Sequence, residues 1–277
     1  MNGNKGPLPP IDGTTLVYGI LGRPVTHSLS PAMHNAAFRE LGLNAVYVAF
    51  PVADLAQAVA GLRGLQIPGV SVTIPLKEEI IPLLDEIDSR AEKIGAVNTV
   101  VNRNGHLTGH NTDWQGALLA LEEKTGLSGK RVLILGAGGA AKAIAFAVLE
   151  KGGQVAVTDV DKAKALALSR KLRVEVIAPH DLEEYPAEVL INATPVGMEP
   201  DSGGIPIDPA LLGRFQVVMD IVYKPLETRL LQEARTRNCQ VIDGLRMLIH
   251  QGAAQFELWT GRPAPLEVMA RAAYASL

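Results

Sequence analysis

The sequence predicts an α/β protein with two domains, an N-terminal α/β domain followed by a doubly wound domain. Short apolar runs of strand length alternate with longer amphipathic runs almost throughout, which is typical of sheets covered by helices. A chain of 277 residues is long enough for two ordinary domains. The pattern of strand followed by helix restarts at Lys130, which indicates where the second domain begins.

The first half of the chain contains five expected strands and three expected helices. Pro31 at a first helical position after Ser30 predicts a helix start with Ser30 as the N-cap, and Thr112 is the expected cap of a later helix. The dipeptide Asn104-Gly105 tolerates positive φ and predicts a hairpin. Strands are expected at residues 16–21, 45–50, 69–74, 97–101 and 106–108, and helices at 31–41, 54–62 and 112–124.

The second half continues the alternation. Strands are expected at residues 131–135, 154–158, 189–192 and 217–221, and helices at 139–151, 245–260 and 264–277. The last helices are expected to return to the first domain. The predicted domains are therefore residues 1–112 plus 245–277, and residues 113–244, with a cleft between them.

Composition excludes several classes of protein. The net charge of -3 and the 4% aromatic residues argue against nucleic-acid binding, which needs a basic surface and stacking side chains. No apolar run approaches the roughly 18 residues of a membrane span. Residues 1–13 lack the apolar core of a signal peptide, so a cytoplasmic protein is expected. The histidines show no spacing typical of a metal site, and no metal is predicted.

A glycine-rich turn indicates dinucleotide binding. The run Gly136-Ala137-Gly138-Gly139-Ala140-Ala141 follows an expected strand and opens an expected helix. Gly136 would permit the tight turn, Gly138 would let a pyrophosphate approach the backbone, and Ala141 would allow close packing of helix on strand. A glycine-rich turn alone is a weak signal, but its place between strand and helix predicts a Rossmann domain that binds NAD or NADP.

Asp159 follows the next expected strand, 20 positions after Gly139. A carboxylate at this point accepts hydrogen bonds from the ribose hydroxyls of NAD and repels the 2′-phosphate of NADP. Unit charges ~4 Å apart at an effective dielectric of 20 repel by about 4 kcal/mol, so NAD is favoured. Lys162 and Lys164 could recover some NADP binding, and Asp159 and Asp161 could instead cap the helix that follows.

Four further segments carry acid, base and hydrogen-bonding groups that could converge on one polyhydroxylated ligand. They are Ser28-Leu29-Ser30-Pro31, Val72-Thr73-Ile74-Pro75-Leu76-Lys77, Val97-Asn98-Thr99 and Gly109-His110-Asn111-Thr112-Asp113. Together with the glycine-rich turn, these segments resemble the shikimate dehydrogenase family, including its quinate/shikimate branch. The resemblance extends from about Leu16 to Leu277. It implies an NAD(P)-dependent oxidoreductase of aromatic amino-acid biosynthesis that reduces 3-dehydroshikimate reversibly to shikimate.

The same resemblance implies a role for individual residues. Lys77 and Asp113 match the catalytic pair, in which the lysine exchanges a proton with the substrate oxygen and the carboxylate supports it. Ser28 and Ser30 match the serines that bind the substrate carboxylate, although capping alone could explain Ser30. Other matched positions bind substrate at Thr73, Asn98, Tyr223 and Gln251, and cofactor at Gly136, Ala137, Gly138, Gly139, Ala140, Asp159, Thr194, Ile221 and Gly244. A structural hydrogen bond is the alternative for each polar side chain.

Three departures from the family pattern leave alternatives open. Ser71 stands where the family usually has Asn, Arg246 stands where a small residue is usual, and Asp159-Val160-Asp161 replaces the Asn-Arg-Thr of NADP-specific members. The third departure leaves NAD-dependent oxidation of quinate open. A folate dehydrogenase and a non-catalytic protein that senses shikimate are the rival interpretations. The expected partner is a small-molecule substrate, with the chain acting as a monomer or homodimer.

Overall fold

The computed structural model of the chain describes residues 11–277, so residues 1–10 of the polar N-terminal stretch lie outside it. The strands and helices alternate as expected. The first half contains β1 (Leu16–Gly22), α1 (Ser30–Glu40), β2 (Ala45–Pro51), α2 (Leu55–Gly64), β3 (Gly69–Val72), β4 (Glu86–Ile87), α3 (Ser89–Ile94), β5 (Thr99–Arg103), β6 (His106–His110) and α4 (Asp113–Glu122).

The second half contains more parallel strands and their helices. These are β7 (Arg131–Leu135), α5 (Gly139–Glu150), β8 (Gln154–Thr158), α6 (Lys162–Leu172), β9 (Glu175–Val176), β10 (Val189–Asn192), β11 (Val217–Asp220), α7 (Arg229–Thr236), β12 (Gln240–Ile242), α8 (Gly244–Thr260) and α9 (Leu266–Tyr274). Short 3-10 helices lie at Ile81–Leu83, Pro179–Asp181 and Pro209–Arg214.

The chain divides into two compact units. The first unit comprises the residues up to Ile87, Asn98–His110 and Gly252–Ser276, and the second comprises Asp88–Val97, Asn111–Gln251 and Leu277. This division differs from the expected boundaries at residues 112 and 244. Residues 88–97 belong to the second unit because Ile94 and Ala96 are buried against Ala143 and Phe146 of α5. The first turns of α8 belong there too, since Met247 lies in that unit's core.

The first unit is built on a mixed six-stranded sheet in the order β2-β1-β3-β5-β6-β4. β1 pairs in parallel with β2 and β3, whereas the hairpin of β5 and β6 introduces antiparallel pairs. Close packing on β3 requires glycine at position 69, where an added Cβ would lie 2.3 Å from the Trp259 ring.

The second unit is a parallel six-stranded sheet in the order β12-β11-β10-β7-β8-β9. Counted from β7 onward, this is the 6-5-4-1-2-3 order of a doubly wound Rossmann fold. Strands β7, β10 and β11 are almost entirely buried, as expected of strands that helices cover on both faces. The order reverses between β7 and β10, where ligands bind in such folds.

The predicted N-cap of α1 is wrong, whereas that of α4 is correct in position but not in its hydrogen bond. α1 begins at Ser30 itself, and the Ser28 hydroxyl accepts a hydrogen bond from the Ser30 backbone N–H at 3.2 Å. Thr112 is the N-cap residue of α4, as expected, but its side chain makes no capping hydrogen bond. The N–H of Asp113, the first residue of the helix, donates instead to Asn111 Oδ1 at 3.0 Å. Across residues 11–277, none of the helices is both long enough and apolar enough to cross a membrane.

Candidate active site

The glycine-rich turn lies at the carboxyl end of β7, at the reversal of strand order. Gly136 has a φ of +105°, and a Cβ added there would lie 3.0 Å from the Ala193 carbonyl oxygen. Both features require glycine. Gly138 is the N-cap of α5 and is exposed, and a Cβ added to it would meet nothing within 4 Å. The backbone before this 12-residue helix is therefore open to an anionic group, as a pyrophosphate needs.

Asp159 stands directly after β8 and contacts this turn. Its Oδ2 accepts a hydrogen bond from the Ala137 backbone N–H at 2.7 Å, and its Oδ1 accepts one from the Asp161 N–H at 2.8 Å. Each carboxylate oxygen keeps a further lone pair for a ligand hydroxyl. Asp161 caps α6, because its Oδ1 accepts from Ala163 N at 3.0 Å and Lys164 N at 3.3 Å. The capping alternative therefore holds for Asp161.

The loops after β10 and β11 bring together the remaining residues that the sequence assigns to the cofactor. Asn192 Oδ1 accepts hydrogen bonds from the backbone N–H of Thr194 at 3.0 Å and from its hydroxyl at 2.6 Å. The Ile221 N–H donates to the Asn192 carbonyl oxygen at 3.1 Å. Gly244 packs against the same backbone, since a Cβ added there would lie 2.3 Å from the Ile221 carbonyl oxygen. Thr194, Ile221 and Gly244 thus lie along one edge of the second unit.

A buried carboxylate connects the loops that follow β10 and β11. Asp220 is fully buried at the end of β11 and accepts hydrogen bonds from Asn192 Nδ2 at 2.9 Å, the Val222 N–H at 3.0 Å and the Thr228 hydroxyl at 2.7 Å. Burial raises the pKa of Asp220 to about 6, although the three hydrogen bonds act in the opposite direction. Asp220 therefore joins the two loops through groups that the sequence did not single out.

In the first unit, the serines lie at the start of α1. Ser28 is half-buried, and Ser30 is only 2% exposed. The N-terminal end of a helix attracts anions, and the carboxylate site that the family resemblance implies for these serines stays a prediction.

Thr73 and Lys77 lie in and beside the turn that follows β3. The Thr73 N–H donates to the Leu21 carbonyl oxygen at 2.9 Å, which continues the sheet for one more residue. The Thr73 methyl group requires glycine at position 22, where an added Cβ would lie 2.4 Å from Thr73 Cγ2. Lys77 is half-buried in the turn itself.

Asn98 precedes β5 and is buried, with 2% exposure. Its backbone N–H donates to the His110 carbonyl oxygen at 3.0 Å, and its own carbonyl oxygen accepts from the Val72 N–H at 2.7 Å. Asn98 Oδ1 accepts from the Thr99 hydroxyl at 2.8 Å. These contacts place Asn98 beside the end of β3, close in the sheet to the start of the Lys77 turn.

Asp113, Tyr223 and Gln251 belong to the second unit. Asp113 is 5% exposed at the first position of α4, and Gln251 is 6% exposed on α8. Gln251 Oε1 lies 3.5 Å from the Thr112 hydroxyl, so Gln251 and Asp113 are neighbours. Tyr223 is partly buried, and burial raises the pKa of its phenol.

Arg246, for which the sequence offered no account, forms an ion pair. Its Nε and Nη2 donate to Glu123 Oε1 and Oε2 at 2.6 to 3.1 Å. His250 Nε2 lies 3.0 Å from Glu123 Oε1. The large side chain at position 246 therefore ties the start of α8 to the residue that follows α4.

Comparison with known proteins decides the family. Residues 20–100 match the shikimate dehydrogenase substrate binding domain, and residues 244–274 match the shikimate 5′-dehydrogenase C-terminal domain. The shikimate dehydrogenase (NADP(+)) of Thermococcus kodakarensis is 52% identical over 255 residues, which cover 90% of this chain and 93% of that protein. The chain belongs to the shikimate dehydrogenase family.

Solved structures of the family agree with this assignment. The shikimate 5-dehydrogenase of Thermus thermophilus, in complex with NADP(H) and shikimate, has a TM-score of 0.88 and 41% identity, and the match covers 95% of this chain and 100% of that one. The quinate dehydrogenase of Corynebacterium glutamicum, in complex with NAD, has a TM-score of 0.87 and 34% identity, and the match covers 95% and 99%. The predicted family and fold class are confirmed.

Sequence reasoning missed the buried polar residues of this shikimate dehydrogenase family member. Asp220 was given no role, although it stands three residues before Tyr223, and Ser71 was interpreted only as a departure from the family pattern that shortens or removes one substrate contact. Tyr47 and Gln255 carried no signal, because their side chains meet Ser71 only in the folded chain.

Proposed function

We propose that this chain catalyses the reversible reduction of 3-dehydroshikimate to shikimate with a nicotinamide dinucleotide. The observation that carries the proposal is the 52% identity with the Thermococcus kodakarensis shikimate dehydrogenase, which extends over 90% of this chain and 93% of that protein. The open backbone around Gly138 and the glycine-dependent turn at Gly136 fit the phosphates of such a cofactor. When bound, the nicotinamide supplies or accepts the hydride.

Lys77 and Asp113 are the proposed acid–base pair. Reduction of a ketone develops negative charge on oxygen, and a lysine ammonium can donate the proton that neutralises this charge. The Asp113 carboxylate would support the lysine and accept a hydrogen bond from a neighbouring substrate hydroxyl. Asp113 is held for this task at the start of α4 by the hydrogen bond from its N–H to Asn111.

Replacement of Lys77 by Ala tests this role. General acid–base catalysis contributes roughly 10²- to 10⁴-fold, so kcat should fall by about that factor while the KM for shikimate changes much less. Lys151→Ala is the matched control, since Lys151 forms a surface ion pair with Glu122 at 2.8 Å and caps the end of α5 opposite to the glycine-rich turn. Turnover by Lys77→Ala at the level of the control would exclude Lys77 as the proton donor.

The substrate carboxylate is proposed to bind at the start of α1, through Ser28 and Ser30. The hydroxyl groups of the substrate would then meet Thr73, Asn98 and Gln251, with Tyr223 near the carboxylate. Such side chains bind equally in the ground and transition states when they touch groups that do not react. Truncation of any one of them should therefore raise KM more than it lowers kcat.

The cofactor is proposed to lie along Gly136–Ala140, with Thr194, Ile221 and Gly244 lining the nicotinamide end and Asp159 at the adenosine ribose. The backbone contacts of Asp159 fix its negative charge beside the turn. That charge favours NAD, whereas the Thermococcus relative is named for NADP(+). Asp159→Asn should raise the ratio of kcat/KM for NADP over NAD by roughly tenfold or more. An unchanged ratio would mean that Asp159 does not discriminate the 2′-phosphate.

Quinate is the second candidate substrate. It is favoured by Asp159 together with the structural similarity to a quinate dehydrogenase in complex with NAD. Absorbance at 340 nm, followed with shikimate or quinate and with NAD or NADP, tests substrate and cofactor together. We expect shikimate to be preferred, and we expect the reaction to take place in the cytoplasm, where nicotinamide cofactors are maintained. A monomer or homodimer remains the expected state.

A further inference from the structure

A chain of buried hydrogen bonds crosses the first unit beneath its predicted substrate residues. The Tyr47 hydroxyl donates to Ser71 Oγ at 2.6 Å, and Ser71 Oγ donates to Gln255 Oε1 at 2.7 Å. Tyr47, Ser71 and Gln255 are 1%, 3% and 1% exposed. They come from β2, β3 and α8, so one polar path joins three elements inside the core of this unit.

One end of this path reaches Asn98. Gln255 Nε2 donates to the Asn98 carbonyl oxygen at 3.1 Å and to the Thr99 hydroxyl at 3.0 Å. The Thr99 hydroxyl in turn donates to Asn98 Oδ1 at 2.8 Å. Gln255 therefore holds both the backbone and, through Thr99, the side-chain amide of Asn98. With its oxygen oriented towards Thr99, the amide of Asn98 has a defined direction.

The other end reaches Ser30. The Tyr47 hydroxyl interacts with the Ser30 side chain as well as with Ser71, and both interactions act to lower the pKa of the phenol. Burial outweighs both contributions and raises the pKa of Tyr47 well above its ordinary value, so the phenol stays neutral. A neutral phenol can both donate to Ser71 and accept from another hydroxyl.

Tyr47 itself is held firmly. Its backbone N–H donates to Asn35 Oδ1 at 2.8 Å, and its carbonyl oxygen accepts from Asn35 Nδ2 at 2.8 Å. The His34 ring stacks on the Tyr47 ring with centroids 4.5 Å apart and planes 13° apart. The phenol oxygen therefore has little freedom to follow a partner that moves.

We propose that Tyr47, Ser71 and Gln255 are positioning residues, which hold Ser30 and Asn98 in the arrangement that binds the substrate. The proposal rests on the proposed function, because it takes Ser30 and Asn98 as substrate ligands. The Ser71 hydroxyl is the central link, since it accepts from Tyr47 and donates to Gln255 at the same time. Its removal leaves a buried donor on Tyr47 and a buried acceptor on Gln255 without their partner, so Ser30 and Asn98 lose the support of an intact chain of hydrogen bonds.

Steady-state kinetics of Ser71→Ala and Tyr47→Phe test the proposal. We expect the KM for shikimate to rise about tenfold in Ser71→Ala, while kcat falls less and the KM for the dinucleotide stays unchanged. The double variant should raise the KM for shikimate at least as much as Ser71→Ala alone, because Tyr47→Phe also removes the hydroxyl that contacts Ser30, but by less than the two single effects combined, because both residues act in one chain of hydrogen bonds. Thr260→Val is the control, because Thr260 lies on α8 like Gln255 but its hydroxyl bonds only to nearby backbone groups in the hydrogen bonds described. It donates to the Phe256 carbonyl oxygen at 2.8 Å and accepts from the Arg262 N–H at 3.2 Å.

The outcomes separate positioning from a merely structural role. A lower melting temperature with wild-type KM for shikimate would overturn the proposal, as would equal rises in KM for shikimate and dinucleotide. If Ser71→Ala does not fold, the KM of Tyr47→Phe for shikimate decides between a positioning and a structural role. This substitution removes one oxygen atom and keeps the ring that stacks on His34. Wild-type protein without shikimate turnover would remove the proposed function and this inference together, whereas active wild type with unaffected variants would remove the inference alone.

Discussion

Replacement of Asp220 by Asn should stabilise the second unit more at neutral pH than at acidic pH, relative to wild type. The introduced amide keeps the shape of the carboxylate and its partners, since its oxygen can accept from Asn192 and Val222 and its nitrogen can donate to Thr228. What the substitution removes is the charge. The comparison therefore isolates the cost of burying that charge.

The magnitude follows from the pKa of Asp220, which burial raises from 3.8 to about 6. The folded protein holds this proton more tightly than the unfolded chain, so the contribution of this group to stability is lost as pH rises from 3.8 to 6. Each pH unit in that window corresponds to about 1.4 kcal/mol. The buried charge therefore destabilises the wild type by about 3 kcal/mol at pH 7.5 and by about half of that at pH 5.

Urea unfolding followed by circular dichroism at pH 7.5 and pH 5.0, without cofactor, measures the effect. The difference in unfolding free energy, Asp220→Asn minus wild type, should be more positive at pH 7.5 by about 1.5 kcal/mol. Thr228→Val provides a second comparison of opposite sign, because loss of the hydroxyl that lowers the pKa of Asp220 should make this variant lose more stability at pH 7.5. A difference that does not vary with pH would refute the reasoning.

Two further predictions concern the attachment of α8 within the second unit. Gly116→Ala should lower the unfolding free energy by about 1–3 kcal/mol, since the added Cβ would lie 2.6 Å from a backbone carbonyl of α8. Gly61→Ala, whose Cβ meets nothing within 4 Å, should be neutral or slightly stabilising in the same urea titration. Glu123→Gln should cost about 0.5–1 kcal/mol at pH 7. Burial opposes the effect, but Arg246 and His250 hold the pKa of Glu123 below its ordinary value, so the cost should shrink as pH falls below 4.5. An equal cost at pH 7 and pH 3 would contradict the ion pair.

The long elements of the fold were predictable because local pattern and tertiary packing agree there. β7 and β8 have the predicted bounds, and the Asn104-Gly105 turn joins β5 to β6 as expected. α3 was missed because its six residues offer less than two turns of periodicity. The two-residue strands β4 and β9 were missed because two residues carry no alternation.

The candidate site could be proposed from the sequence where its residues stand in runs that resemble a family, as with Lys77, Asp113 and the glycine-rich turn, and the roles of these residues stay predictions. It was not predictable where contacts join distant positions. Ser71 and Gln255 are 184 residues apart in sequence, and nothing local to either indicates the other. The same limit applied to Arg246, whose partner Glu123 lies 123 residues away.

Because helix α8 contributes residues 244–251 to the second unit and residues 252–260 to the first, synthesis on the ribosome completes the two units in an unusual order. The second unit has nearly all of its residues once Gln251 has emerged, whereas the first unit still lacks Gln255 and Trp259. Trp259 packs on Gly69 and donates to the Val100 carbonyl oxygen at 3.0 Å. The N-terminal part of the chain is therefore synthesised first, but the core of its unit is completed last.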